Sequence, residues 1–111
     1  MSDLHEAHCQ ACEGIGAALE EGPIRTLMSQ VHERWRLRAD GKALEAEFSF
    51  KNYYQTMAFL NAVAFMANRE NHHPDIRFGY NSVQMEWQTH AVGGVTHNDL
   101  ICAAKVDRLL S

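Results

Sequence analysis

Alternation of apolar and polar side chains predicts two pairs of β-strands. The segment from 35 to 38 reads Trp-Arg-Leu-Arg, and every second residue from Leu44 to Phe50 is apolar. Asp40 and Gly41 lie between these segments and are a strong turn signal. We therefore expect a β-hairpin with one buried face.

A second pair of strands is expected after Pro74. Ile76 and Phe78 indicate a short strand, and residues 79–82 indicate a turn. The segment from 83 to 88 then alternates apolar and polar side chains, as in a strand that is buried on one face.

Apolar residues at helical spacing predict three helices. The first contains Pro23 in its first turn and is expected to end near Arg34. The second runs from Lys51 to about Asn68 without Gly or Pro. Its apolar arc is too wide for one buried face, so we expect it to cover the sheet and also to meet a partner subunit. Thr96 caps the third helix, which should dock on the sheet.

The resulting order, α-β-β-α-β-β-α, predicts an α+β fold with a layer of helices over an antiparallel sheet. A chain of 111 residues is long enough for one domain with a single core. We assign that domain to residues 23–111. Residues 1–22 form a polar arm, part of which we expect to be mobile and peripheral.

Composition narrows the class of protein. The net charge of −4 and the absence of a cluster of basic residues argue against nucleic-acid binding. No apolar run approaches the ~20 residues that span a bilayer, and the first ten residues lack the pattern of a secretory signal. The three cysteines, Cys9, Cys12 and Cys102, do not form a disulfide framework. These features predict a soluble cytoplasmic protein in a reducing compartment.

Three histidines, His72, His73 and His90, are the candidates for chemistry. Neighbouring side chains on an extended chain point in opposite directions, so His72 and His73 cannot be buried in the same way. Pro74 restricts the backbone of His73 and fixes the direction of both rings. His90 shares the parity of Gln88, away from the core face of its strand.

Two imidazoles with an ordinary pKa near 6.5 could act as an acid and a base without a cofactor. Zinc is the alternative, but adjacent histidines are unusual ligand spacing and no Cys, Asp or Glu nearby completes a tetrahedron. We therefore expect no metal. The residues alone indicate proton transfer and leave the substrate open.

The spacing of these residues resembles the pterin-4a-carbinolamine dehydratase family. The pattern is His72-His73-Pro74, five residues, Tyr80, nine residues, His90, eight residues and Asp99. Trp35 before the first strand, the segment FSFKNYYQTMAFLNAVA and the motif HCQAC near the start support it. The resemblance covers about residues 20 to 110.

The resemblance implies a four-stranded antiparallel sheet with three helices on one side, assembled as a homodimer or homotetramer. It implies dehydration of a 4a-hydroxytetrahydropterin to the quinonoid dihydropterin, which a reductase recycles for an aromatic amino-acid hydroxylase. It also implies that no metal or organic cofactor is needed.

Residue roles also follow from the resemblance. His72 and His90 are expected to be the acid and the base, without a decision on which is which, and His73 to bind substrate. Asp99 is expected to orient a histidine or to hold the pterin. It also has the spacing from Thr96 that defines a capping box.

The other expected site residues have structural alternatives. Trp35 is expected to wall the pterin pocket or simply to pack, and Tyr80 to contact substrate or to be structural. Asn68 departs from the family, which usually carries a charged or ionisable residue there. Glu70 is the nearby candidate to supply that charge.

Two rival interpretations remain. One is a non-catalytic dimerisation or protein-binding module on the same fold, because some family members act as partners of transcription factors. The other is a metal or thiol site built from His5, His8, Cys9 and Cys12, although a lone CxxC motif is a weak signal.

Overall fold

Four strands and three helices make up the part of the chain that the structure describes. The computed structural model describes residues 4–10 and 16–111. The elements are α1 (Glu21–Leu27), β1 (Arg36–Leu37), β2 (Leu44–Ser49), α2 (Tyr53–Glu70), β3 (Asp75–Phe78), β4 (Ser82–Trp87) and α3 (His97–Leu109), with 3-10 turns at Leu4–Glu6, Met28–Gln30 and His90–Val92. The predicted element order and the α+β class are confirmed.

The strands form one antiparallel sheet in the order β1-β2-β4-β3. The register pairs Asp75 of β3 with Glu86 of β4, so the start of β3 lies beside the end of β4. Leu44 of β2 pairs with Trp87 at the same end of the sheet. The chain segments that precede β3 and follow β4 therefore meet at one end of the sheet.

Alternation along β2 and β4 turns one face of the sheet toward the helices. The core contains Ile24, Trp35, Leu44, Ala46, Phe48, Phe59, Leu60, Val63, Ala67, Val83, Met85, Trp87, Val95, Leu100, Cys102, Ala103 and Val106. The intervening residues of β2 and β4 are polar and lie largely toward solvent. The predicted hairpin and its buried face are confirmed.

Helix α2 packs on the sheet, with the Phe59 ring centroid 4.9 Å from that of Phe48 of β2. The Asn52 side chain caps its first turn by accepting a hydrogen bond from the N–H of Gln55 at 2.9 Å. One face of the helix is buried, but Tyr54 and Phe65 on the other face are 81% and 68% exposed. The predicted second apolar face therefore exists, and residues 4–10 and 16–111 leave it exposed.

Helix α1 is shorter than predicted. It ends at Leu27, followed by a 3-10 turn, and Val31 is already extended. The N–H of His32 donates to Asp107 Oδ2 at 2.8 Å, and the indole N–H of Trp35 donates to Asp107 Oδ1 at 2.9 Å. These hydrogen bonds to α3 hold residues 32 and 35 outside α1. The predicted end of the helix near Arg34 is therefore wrong.

The described part of the N-terminal arm packs against the helices. Lys105 Nζ donates to the carbonyl oxygen of His5 at 3.0 Å, and Asn98 Nδ2 donates to that of Gln10 at 2.9 Å. Residues 4–10 are therefore held against α3 by hydrogen bonds. Cys12 lies outside the described residues.

Candidate proton-transfer site

Four chain segments converge where the sheet ends beside the start of α3. Helix α2 ends at Glu70, and the next residue, Asn71, caps it in the left-handed conformation that Asn tolerates, with φ of 53°. The N–H of His72 donates to the carbonyl oxygen of Ala67 at 3.2 Å. The helix end therefore fixes the direction of the chain at His72.

The His72 ring is buried against a carboxylate. Its Nε2 lies 2.6 Å from Asp99 Oδ1, the His72 residue is 6% exposed, and Asp99 is fully buried. We refer to His72 and Asp99 as the buried pair. Asp99 Oδ2 accepts hydrogen bonds from Thr89 Oγ1 and from the Thr96 N–H, both at 2.9 Å.

The contact with Asp99 indicates which ring nitrogen of His72 carries the proton. An ionised carboxylate only accepts hydrogen bonds, so the neutral His72 ring carries its proton on Nε2 and leaves Nδ1 as an acceptor. Nδ1 makes no hydrogen bond with the residues that the structure describes. A carboxylate behind one ring nitrogen orients the ring and stabilises the imidazolium that forms when the other nitrogen is protonated.

Packing holds the same ring from its side. The His72 and Trp87 rings stack with centroids 5.7 Å apart and an interplanar angle of 21°. Trp87 is fully buried at the end of β4. Because the tryptophan is fixed in the core, the His72 ring has little freedom to leave Asp99.

His90 pairs with a carboxylate in a different setting. Its Nε2 lies 3.4 Å from Asp75 Oδ2, and these side chains are 67% and 65% exposed. The Gln88 side-chain nitrogen lies 3.1 Å from His90 Nδ1. We refer to His90 and Asp75 as the exposed pair. As predicted from strand parity, His90 lies off the core face.

His73 and Pro74 connect the two pairs along the chain. His73 is exposed while His72 is buried, which confirms that the adjacent rings face different surroundings. Pro74 is half-buried and leads directly into β3, which begins with Asp75.

Two expected site residues, Trp35 and Tyr80, lie away from the three histidines in the structure. Trp35 is buried, meets Phe48 edge-to-face and bonds to Asp107, about 12 Å along α3 from Asp99. Tyr80 stacks on Tyr53 at the turn before β4, at the opposite end of that strand from His90. Within one chain, Trp35 therefore packs in the core and Tyr80 does not reach the histidines.

The Glu70 carboxylate, expected to supply the charge missing at Asn68, is bonded to the N-terminal arm. Its carboxylate accepts hydrogen bonds from the Cys9 N–H at 2.8 Å and from His8 Nδ1 at 3.0 Å, and lies 3.6 Å from Lys105 Nζ. Burial alone would raise the pKa of Glu70, but these hydrogen bonds and the Lys105 charge outweigh it and lower the pKa. Glu70 therefore serves the arm, and Asn68 is exposed on the last turn of α2.

Sequence reasoning missed Thr89 and Asp75. The parity of Val83, Met85 and Trp87 continues to Thr89, so the pattern could have predicted its burial. Asp75 carries no local signal, because its approach to His90 depends on the register of β3 against β4.

Other groupings of polar residues lie away from the three histidines. A cavity of about 340 Å³ between the arm and α3 is lined by His8 and His97 but by none of the predicted catalytic residues. Across residues 4–10 and 16–111, no three His, Cys, Asp or Glu side chains are grouped to hold a metal ion. The helices described also include none long and apolar enough to cross a membrane.

The sheet, its helical cover and the buried pair define an α+β protein with a buried histidine–carboxylate pair whose geometry is compatible with proton transfer. The chain belongs to the family described as pterin 4 alpha carbinolamine dehydratase, whose model matches residues 17–109. The resemblance seen in the sequence is thereby confirmed.

Relatives support the same assignment over nearly the whole chain. A protein of Legionella pneumophila (strain Corby) named "Putative pterin-4-alpha-carbinolamine dehydratase" is 53% identical over 98% of this chain and 96% of its own length. A Nitrosospira multiformis protein of the same name is 52% identical over 98% of this chain and 94% of its own.

Two solved structures share the fold. A transcriptional coactivator/pterin dehydratase from Brucella melitensis has a TM-score of 0.80 and 26% identity, over 85% of this chain and 99% of its own. A pterin dehydratase-like protein described as a RuBisCO assembly factor in the alpha-carboxysome has a TM-score of 0.61 and 32% identity, over 70% of this chain and 90% of its own.

Proposed function

We propose that this protein is a hydro-lyase of the cytoplasm that converts a 4a-hydroxytetrahydropterin to the quinonoid dihydropterin and water. Family membership supports the reaction, and the buried pair is the observation that carries the mechanism. A reductase can recycle this product to the pterin that aromatic amino-acid hydroxylases use. We therefore propose a functional link between this protein and such a hydroxylase.

The reaction needs one proton donor and one proton acceptor. Loss of hydroxide from C4a requires a proton on the leaving oxygen, and formation of the C=N bond requires loss of the proton on N5. We assign the acceptor role to His72 Nδ1, because Asp99 stabilises the resulting imidazolium. His90 then protonates the leaving oxygen and regains its proton from solvent, to which it is open. We assign substrate binding to His73.

Dehydration rates followed by ultraviolet absorbance test this proposal. The variants are His72→Ala, His90→Ala and His73→Ala, with His32→Ala as a control because His32 is exposed and lies beside Asp107. We expect kcat to fall by about 10²–10⁴-fold for His72→Ala and His90→Ala. His73→Ala should mainly raise KM, and His32→Ala and added chelator should change nothing.

Wild-type rates that depend on metal, or equal rates for His72→Ala and His32→Ala, would contradict this mechanism. A folded wild-type protein without any acceleration would favour a protein-binding role on the same fold. Of the two solved structures with this fold, one is described as a transcriptional coactivator/pterin dehydratase and the other as an assembly factor.

We also propose that the chain forms a homodimer or homotetramer through the outer face of α2. Tyr54 and Phe65 are exposed about three helical turns apart on the same face. Apolar patches of this kind mark protein interfaces. Sedimentation at several concentrations should show an oligomer that Phe65→Ser weakens, whereas Tyr80→Ser, an exposed aromatic outside α2, should not. A strict monomer would refute the proposal.

A further inference from the structure

Two thiols that are far apart in sequence meet between the arm and α3. Cys9 Sγ lies 3.6 Å from Cys102 Sγ across a separation of 93 residues. Cys9 is half-buried in the arm, and Cys102 is fully buried on α3. Cys9 therefore faces Cys102 through the fold, although its neighbour in the CxxC motif is Cys12.

Hydrogen bonds on both sides of Cys9 hold it in this position. Its own N–H donates to Glu70 Oε1 at 2.8 Å, and the next N–H, of Gln10, donates to Asn98 Oδ1 at 3.0 Å. The Asn98 amide in turn donates to the Gln10 carbonyl oxygen at 2.9 Å. The backbone of the arm is thus anchored to α2 and α3 where the thiol points at Cys102.

We propose that Cys9 and Cys102 are a modification site that a hydroperoxide oxidises to an intramolecular disulfide. The sulfur atoms need to approach by only about 1.6 Å to reach bonding distance. Rotation of the half-buried Cys9 side chain can supply part of this movement, because Cys9 lies at the edge of the core.

The oxidation proceeds in two balanced steps. The Cys9 sulfur attacks one peroxide oxygen, the O–O bond breaks, and Cys9 sulfenic acid and one water form. The Cys102 sulfur then attacks Cys9 Sγ, its proton leaves with the displaced hydroxide as a second water, and the S–S bond forms. Two thiols and one hydrogen peroxide thus give one disulfide and two waters.

The surroundings assign the order of these steps. The hydrogen bond with Cys9, together with burial, raises the pKa of the Cys102 thiol far above its ordinary value. Cys102 therefore stays protonated at neutral pH and is a poor first nucleophile. Cys9 is the more accessible thiol and reacts first.

The disulfide would join the arm covalently to α3. A cross-link that closes a loop of about 93 residues constrains the unfolded chain strongly. The same arm residues contact Glu70 and Asn98, which precede His72 by two positions and Asp99 by one. Oxidation therefore fastens the arm beside the buried pair without using any of its side chains.

Hydrogen peroxide treatment of the full chain, followed by thiol blocking and non-reducing peptide mapping, tests the proposal. We expect a mass loss of two hydrogens, a Cys9–Cys102 peptide and a rise in Tm of more than about 5 °C that reductant reverses. Cys12→Ser should behave like wild type, whereas Cys9→Ser and Cys102→Ala should lose both the peptide and the rise.

Other outcomes would overturn the proposal. These are a Cys9–Cys12 or Cys12–Cys102 peptide, a disulfide between chains, or three free thiols at a peroxide dose that oxidises the urea-unfolded chain. If Cys102→Ala fails to fold, Cys9→Ser decides alone, because its side chain lies at the edge of the core.

Discussion

Two histidine–carboxylate pairs lie at the same end of the sheet and differ in almost every physical respect. In the buried pair the two side chains are shielded from water and 2.6 Å apart. In the exposed pair both side chains are open to water and 3.4 Å apart. The residue types are the same, so the difference comes from the surroundings.

The comparison shows that the fold places similar residues in different surroundings. Asp99 is held by Thr89, by the Thr96 N–H and by His72, so it can neither rotate nor exchange its partner for water. Asp75 is the first residue of an edge strand and can do both. A fixed pair suits a base that must be aimed at one atom, whereas a solvent-exposed pair suits an acid that must be recharged.

Removing each carboxylate should give the largest contrast. Asp99→Ala leaves three buried donors without their acceptor and should lower the free energy of unfolding by about 3–5 kcal/mol. Asp75→Ala should change it by less than about 0.5 kcal/mol, because exposed ion pairs contribute little. Urea denaturation of both variants measures the difference. Equal losses would show that burial does not separate the two pairs.

The pairing of His8 with Glu70 sharpens the comparison, because its histidine is exposed and its carboxylate is buried. Glu70→Gln should lower the free energy of unfolding by about 1–2 kcal/mol at neutral pH. The folded-state pKa of Glu70 is lowered, so its stabilisation is complete above the ordinary pKa of about 4.5 and is lost as the pH falls through the lowered value.

Thermal unfolding from pH 3 to pH 7 checks this prediction. The difference in Tm between the wild type and Glu70→Gln should be constant above about pH 5 and should shrink as the pH falls from 4.5 through the lowered pKa of Glu70. Glu21→Gln is the matched control, because Glu21 pairs with Arg25 on the exposed surface of α1. A constant difference across the range would contradict the charge-based explanation.

The smallest effect is expected from adding a carboxylate near the buried pair. Asn68 is exposed one turn before His72, so Asn68→Glu should cost only a few tenths of a kcal/mol through the helix dipole. We expect activity to survive in both proteins and the pH profile of kcat/KM to shift in the variant. An unchanged profile would mean that charge at this position does not reach the site.

Local patterns predicted those parts of the molecule that local physics determines. The first hairpin follows from alternation and the Asp40-Gly41 turn. The burial of His72 and the exposure of His73 follow from their adjacency and from Pro74. The capping spacing from Thr96 to Asp99 was also visible in the sequence and is present in the structure.

Contacts between distant segments were beyond such patterns. Trp35 bonds to Asp107 across 72 residues, and this contact decides that the indole packs in the core. Glu70 turns to the arm across 61 residues, so its position two residues before His72 was misleading. Such pairings depend on tertiary packing, for which a period or a motif in one segment carries no information.

The aspartate in the cap of α3 has a consequence for sequence design. Glutamate is the usual residue at the third helical position of a capping box. A designer who optimised the helix alone would therefore place glutamate at position 99. The added methylene would move the carboxylate away from Thr89 and His72 while a cap could still form. A change that improves the helix alone would therefore disrupt the geometry of the buried pair, so position 99 belongs among the residues held fixed in any redesign.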